Sequence, residues 1–314
     1  MTKYILKRLA QTIVILLIIS IISFSIIHLV PGDPVYAMLG LEISLERHDQ
    51  VWHEMNLDKP LVIQYLIWIT NVLKGDFGYS YNLRQPLAQV IGNKLPYTFY
   101  LGILSGIVSI LIGIPLGIIT AIKRGKLADN ILTVFANIGM ATPTFWLGIL
   151  LVSIFALKLK WLPTYGFTLP WINFKKSLSQ AVMPVICMSV GGIASYTRQT
   201  RSSMLEVIRQ DYIRTARSKG LGERYIIRKH ALKNALIPIL TLMGMTLRNT
   251  IAGSAVIESV FNIPGIGNLM VQSINLRDYN AVSISILMVS TMTCLCNLLV
   301  DIAYAYADPR IRLD

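Results

Sequence analysis

Apolar residues in this chain come in long unbroken runs rather than in alternating or one-in-four stripes. Six runs are long enough to cross a hydrocarbon core of about 30 Å as helices rising about 1.5 Å per residue. They cover residues 9–30, 97–122, 131–157, 181–197, 235–257 and 282–304, the fourth being the shortest and carrying Gly191 and Gly192. The pattern predicts an all-α integral membrane protein with six transmembrane helices. Lys3, Lys7 and Arg8 precede the first run, as basic residues do in a signal peptide. That run is too long for one, however, and it ends in Val30-Pro31-Gly32-Asp33-Pro34 without a small-x-small cleavage site, so it is expected to remain as a span.

Small residues and prolines interrupt the second and third runs. Gly102 and Gly106, then Gly113 and Gly117, stand four apart, with Pro115 between the second pair; Gly139 and Pro143 follow in the third run. Glycines at this spacing let helices approach closely, and a proline frees a carbonyl that lipid cannot satisfy. Two readings stand: tight helix packing, or a bent helix lining a translocation path.

Composition agrees with a membrane chain. Of 314 residues, 54% are hydrophobic and 14% charged, and the mean hydropathy is +0.58. The net charge of +13 would suggest nucleic acid in a soluble protein. In a membrane protein it reflects the gathering of Lys and Arg in cytoplasmic loops, so membrane lipid and no nucleic acid is expected as a partner. With the N-terminus inside, segments 1–8, 123–130, 198–234 and 305–314 hold 18 Lys and Arg, while the external segments 31–96, 158–180 and 258–281 hold 10. Both termini are therefore expected in the cytoplasm. Lys158, Lys160, Lys175 and Lys176 run against the bias.

Catalytic chemistry is hard to assemble. No Gly-x-x-x-x-Gly-Lys-Ser/Thr run occurs, so no P-loop is expected to bind ATP here. Cys187, Cys294 and Cys296 lie in apolar runs and read as small buried hydrophobes, with no disulfide framework or metal spacing. His48 and His53 share an acidic external stretch and read as parts of a solvated amphipathic face. Arg248 and Asp301 fall within spans, where a charge needs a partner or a watery space. For Arg248 an inter-helix bond and a pathway-lining role both stand; Asp301 is expected to reach water or pair with Arg310. Glu258 opens an external segment and is expected to be solvated.

Segment 198–234 holds ten basic residues and only Glu206, Asp211 and Glu223 as acids. Leu205, Ile208, Tyr212 and Ala216 are spaced for one helical face, with Val207 and Ile213 on neighbouring sides. Arg209, Arg214 and Arg217 then point to water, lipid phosphate or a partner. Lys219-Gly220 has the form of a helix stop, and a second helix is expected from Glu223 toward Asn234. The block therefore predicts two short helices broken at Gly220–Gly222. It can serve as an interfacial helix on anionic lipid, as a topogenic charge cluster, or as a docking surface.

These residues also carry a family resemblance. Asp211-Tyr212-x-Arg214-Thr215-Ala216-Arg217-x-Lys219-Gly220-Leu221 resembles the cytoplasmic motif of binding-protein-dependent ABC importer permeases, with Ala216 and Gly220 at its Ala-x-x-x-Gly. Arg214-Thr215-Ala216 replaces the usual Glu-Ala-Ala, and 230–238 replaces a strict Ile-x-Leu-Pro, departures resembling the peptide/nickel branch. Pro31-Gly32-Asp33-Pro34, Leu57-Asp58-Lys59-Pro60, Gly75-Asp76-Phe77-Gly78, Pro143-Thr144-Phe145-Trp146, Trp161-Leu162-Pro163-Thr164, Pro264-Gly265-x-Gly267, Arg277-Asp278-Tyr279 and Asp308-Pro309-Arg310 are similar to that branch as well.

The resemblance implies a type I ABC importer permease in a bacterial inner or plasma membrane. Its first 96 residues would form a helix plus an external segment that helps dock a substrate-binding protein, and 97–314 the permease core. A second homologous permease subunit and two cytoplasmic ATPases would complete the machine, the ATPases holding ATP and Mg. No cofactor or catalytic residue is expected in this chain. The helix around Leu205, Ile208, Asp211, Tyr212, Arg214, Thr215, Ala216, Lys219 and Gly220 would couple to the ATPase. The implied cargo is a di- or oligopeptide, with nickel or a metal chelate as the alternative. An ion-coupled secondary transporter is a reading of another class. It would call for buried mid-membrane acids and inverted repeats, and neither is seen in the sequence.

Overall fold

The computed structural model describes residues 2–29, 32–40 and 42–307. Pro31 and the Asp308-Pro309-Arg310 run lie outside the described residues. Among the described residues, four helices are continuous and apolar enough to cross a membrane: α1 (Thr2–Leu29), α5 (Leu87–Ile122), α8 (Phe174–Ile208) and α14 (Tyr279–Ala307). Between α1 and α5 lie α2 (Pro34–Leu39), α3 (Leu45–Glu54), α4 (Leu61–Leu73) and a two-residue hairpin, β1 (Tyr79–Ser80) with β2 (Gln85–Pro86), pairing Ser80 with Gln85.

Two of the six expected spans are broken, which brings the possible total to six only if each bent pair counts as one crossing. The third was expected to be one helix over 131–157. Instead α6 (Leu127–Ala141) meets α7 (Thr144–Leu151) and a π-helical turn (Val152–Lys158) at a 102° bend. Pro143 causes it locally: the residue before a proline is driven out of the α region, and Thr142 is extended at φ −78°, ψ 122°. The fifth starts earlier than expected, as α10 (Glu223–Tyr225), a π-helical turn (Ile226–Ala231) and α11 (Leu232–Ala252), with a 48° bend near Pro238. Short helices α9 (Asp211–Ser218), α12 (Ser254–Val260) and α13 (Ile266–Asn275) complete the order.

Helix ends also overrun the hydropathy. α5 begins ten residues before 97, and α8 runs past both ends of 181–197, because polar residues extend a helix into the interface and beyond it. The seam between α5 and α8 is a close approach in the core. A Cβ on Gly113 would sit 2.7 Å from Tyr196 Cβ and 2.8 Å from the Ile193 carbonyl. One on Gly117 would overlap the Thr200 side chain and sit 2.7 Å from the Thr197 carbonyl. Thr197 Oγ1 donates to the Gly113 carbonyl and Ser109 Oγ to the Ser189 carbonyl across the same seam. Of the two readings of these glycines, tight packing is therefore realised.

Gly117→Ala should force these helices apart at a cost of about 1–3 kcal/mol. A lowered thermal unfolding midpoint of the purified protein is the expected reading. Gly92→Ala, where a Cβ meets nothing within 4 Å, should leave the midpoint unchanged or raise it.

Candidate functional site

The basic block is built from helix ends. α8 carries Leu205 and Ile208 to its last turn, Arg209 and Gln210 break it, and α9 restarts the helical phase at Asp211. The expected single stripe is therefore split. Leu205 and Ile208 do lie against the apolar cluster beneath the membrane ends, and Ala216 is buried in it. Tyr212 is not there; it is 42% exposed, and Ile213, fully buried, takes the inner position. The cluster joins Ala121 at the end of α5, Met204 of α8, Ile213 and Ala216 of α9, and Ile226, Ala231 and Ala235 of the following helix. α9 is thus clamped by apolar contacts on one side, while Asp211, Arg214, Thr215 and Lys219 face outward and are exposed.

The end of α9 is closed by Gly220. Its φ of +75° is the left-handed region, which an L side chain adopts only with strain. Gly220 N–H donates to the Arg217 carbonyl and Leu221 N–H to the Ala216 carbonyl, the paired bonds of a Schellman stop. Arg217, expected to face water or a partner, instead spans the break: its Nε and Nη2 donate to Glu223 at 3.1 and 2.7 Å. Asn234 Nδ2 donates to Tyr212 Oη at 2.8 Å, tying the outer face of α9 to α11.

A second tie was invisible to the sequence reading. Asp129, nearly buried, accepts from Arg201 Nε and Nη2 at 2.7 and 2.8 Å, and from Gly125 N–H at 3.0 Å. The 123–126 turn is thereby pinned to α8 just before the basic block. The available signal was that Asp129 is the sole acid in segment 123–130. A cavity of about 740 Å³ opens beside this pair, lined by Asn137, Arg198, Arg201 and Arg209 among others.

The intramembrane charges resolve differently. Asp301 lies 3.2 Å from Arg8 of α1. Its expected alternative partner, Arg310, is outside the described residues. Arg248 lines the same cavity of about 250 Å³ as Arg8, Asn297 and Asp301, so the two charges singled out from the sequence share one polar pocket between α1, α11 and α14. Glu258 overturns its expected solvation: it is fully buried. Its Oε1 accepts from Thr98 Oγ1 and Ser254 Oγ at 2.8 and 2.9 Å, and its Oε2 from Asn268 N–H at 2.9 Å. Thr98 Oγ1 also accepts from Ile266 N–H, so α5, α12 and α13 meet on one carboxylate. Hydropathy places Glu258 at a span end, but α12 and α13 fold back and cover it.

In the external segment, His48 is not simply solvated. Its Nε2 lies 2.8 Å from Asp33, its ring stacks on Tyr36 and Trp52, and Asp33 caps α2 at Val35 N–H. Hydrogen bonds to Asp49 and Asp33 raise the His48 pKa above its ordinary 6.5. Burial alone would raise the Asp33 carboxyl, but hydrogen bonds from His48, Val35 and Tyr36 outweigh it and bring the net value below 3.8.

Comparison with known proteins bears on what these elements do. Residues 1–102 match the family model for the N-terminal part of binding-protein-dependent transport system membrane components, and residues 113–313 the model for their inner membrane component. A Brucella abortus (strain 2308) protein assigned as permease of a peptide transport system is 40% identical over the whole of both chains. The glutathione transport system permease protein of Salmonella choleraesuis (strain SC-B67) is 38% identical over 99% of each. Among solved structures, the inward-facing MetNI methionine ABC transporter aligns with a TM-score of 0.58 at 18% identity, over 70% of this chain and 97% of that one. An amino acid ABC transporter solved with histidines gives 0.53 at 16% identity, over 69% and 94%. These two carry the fold.

The Asp33–His48 contact sets a pH window for the external segment. Raised in the fold, the His48 contribution is complete below its ordinary 6.5 and is lost as pH climbs through the folded value. Lowered in the fold, the Asp33 contribution is complete above 3.8 and is lost as pH falls through the folded value. Protease nicking of this segment in spheroplasts should be slower near about pH 5.5 than near about pH 8.5, and His48→Gln should flatten that difference.

Proposed function

The chain belongs to the inner membrane components of binding-protein-dependent transport systems, and on that premise we propose that it forms half of the pathway of a peptide importer. It is a multi-pass membrane subunit with the type I ABC permease fold. In this reading a second, homologous membrane subunit supplies the other half of the pathway. Two cytoplasmic ATPases hold ATP and Mg, and an external protein delivers the substrate. Family membership sets aside the ion-coupled secondary transporter. The names of the two relatives, one for peptides and one for the tripeptide glutathione, favour peptides over nickel or a metal chelate.

The observation that carries the coupling role is the mounting of α9. One face, Ile213 and Ala216, is buried among the ends of α5, α8 and the helix leading into α11. The other presents Asp211, Arg214, Thr215 and Lys219 below the membrane ends. A partner pressing on this outer face moves three membrane helices at once, because the apolar anchor shares contacts with each. Closure of the ATPases around ATP would push α9 and open the pathway outward; hydrolysis would reset it. Leu205 and Ile208 contribute as the anchor's packing on α8, and Tyr212 and Gly220 as the fixings of the outer face and of the end of α9.

Gly220 tests the coupling. A Cβ there meets nothing within 4 Å, so Gly220→Ala acts through backbone strain of about 1–3 kcal/mol and not through a clash. The expected outcome is normal membrane insertion and retained ATP hydrolysis with uptake reduced by about tenfold or more, since a misplaced contact helix loses force transmission before it loses the fold. Wild-type uptake in the variant would exclude α9 as the coupling element. For the cargo, cells relying on this system should accumulate a labelled dipeptide and not nickel; the reverse result would transfer the assignment to the metal.

A further inference from the structure

A cavity at the external end of α1 belongs to none of the elements assigned above. It has a volume of about 430 Å³ and is enclosed by α1, the end of α3, α4, the 76–81 loop and the start of α14. That volume lies within the span of small-ligand sites. Despite a net charge of +13 for the chain, no Lys or Arg lines it, whereas the carboxylates of Glu54 and Asp76 do. Its apolar wall is aromatic, with Phe24 and Trp68 in tilted contact at 5.8 Å between ring centroids. Glu54 also meets Arg47 at 3.8 Å, outside this lining, so it is the Asp76 carboxylate with the aromatic faces that forms the setting favouring a positive group.

Two side chains on this wall point to the kind of cation. Ser283 is 2% exposed, and its buried Oγ has no hydrogen-bond partner, although a serine at this depth ordinarily bonds back to its own helix. The buried Nε2 of His28 also has none. Both line the cavity and both can accept an N–H. A trimethylated ammonium would satisfy the aromatic faces but neither of these atoms. A primary ammonium satisfies both.

We propose that this cavity binds a primary ammonium group carried on an apolar body, with Ser283 Oγ and His28 Nε2 accepting its N–H donors and Trp68 and Phe24 flanking it. Two sources carry this chemistry: the ethanolamine headgroup of a phospholipid and the free amino end of a short peptide. The headgroup is favoured by position. The cavity borders α4, whose Leu66 and Leu73 are exposed beside it, and the outer half of α1, where Ile21 and Ile22 are exposed. These apolar surfaces belong against acyl chains. The peptide source would rest on the importer reading above; the lipid source would not.

The test is a calorimetric titration of the full chain, purified in lipid-free detergent micelles with whatever subunits accompany it. Four probes are compared: dihexanoyl phosphatidylethanolamine, dihexanoyl phosphatidylcholine, dileucine and N-acetyl-dileucine. Binding of the ethanolamine lipid about tenfold tighter than the choline lipid is expected, the worth of one hydrogen bond to a charged group. Dileucine binding about tenfold tighter than its acetylated form would identify the peptide end as the source instead. In either case Ser283→Ala and the exposed-site variant Asp76→Asn should each reduce that preference. Equal binding of amine and blocked forms in both pairs, no binding of any probe, or an undiminished preference in both variants would overturn the proposal.

Discussion

The fold hangs on backbone-to-backbone contact between α5 and α8. In lipid there is no hydrophobic drive to bring two apolar helices together, so close packing and cross-helix hydrogen bonds must supply it. Gly113 and Gly117 remove the side chains that would hold the axes apart, and Thr197 and Ser109 use the gap to reach carbonyls across it. Both helices outrun the apolar core. α5 reaches outward to Thr98 and the Glu258 junction; α8 reaches inward to Leu205, Ile208 and the α9 anchor. A displacement at the α9 anchor would therefore act on α8 and, through the seam, on the α5 helix that meets the Glu258 junction.

Polar contacts at the edges of this seam follow one rule: each joins segments distant in sequence. Asp129 and Arg201 pin the turn before α6 to α8, Glu258 gathers α5, α12 and α13, and Arg8 with Asp301 fastens α1 to α14. A buried charge without a partner is costly, so the Asp129 and Glu258 contacts tolerate little alternative geometry, whereas Arg8 and Asp301 are partly exposed. α1 stands apart from the glycine seam and makes its principal packing against α14. The ion pair at its inner end, the Ser20–Tyr65 hydrogen bond to α4 and the aromatic cavity at its outer end are polar fixtures of a helix whose Ile13, Val14, Leu17 and Ile18 are exposed for lipid.

Local features of this architecture were legible in the sequence and distant ones were not. Hydropathy located all six apolar runs, and Gly139 with Pro143 marked the break between α6 and α7, because a proline acts on its own backbone. Gly220 was readable as a stop for the same reason. Periodicity failed at Arg209–Gln210, where a two-residue interruption resets the helical phase and exchanges Tyr212 for Ile213 on the inner face. A 3-4-4 spacing describes a face only while the helix is unbroken. Glu258 was misplaced in solvent because its partners are contributed 160 residues before it and ten after, and no neighbouring residue signals that α12 and α13 fold back. The ATPase as the partner of α9 came from resemblance, not from periodicity or charge.

In the proposed coupling, the mounting of α9 is what would let a short helix carry force. A helix of eight residues is marginal in water by itself, so its stability must come from what it packs against. Ile213 and Ala216 bury it on the membrane ends, the Gly220 stop prevents it from running on into the next helix, and Asn234 holds Tyr212 from the α11 side. The exposed Arg217–Glu223 pair adds little energy, since solvent screens it, yet it bridges the glycine break where the backbone is least constrained. Positive charge on the outer face is then free for a partner, because the anchor is apolar. Were the anchor itself ionic, any acidic partner would compete for the same groups that hold the helix in place. In the proposed coupling, separating an apolar attachment from a polar outer face would let a partner pull the helix without detaching it.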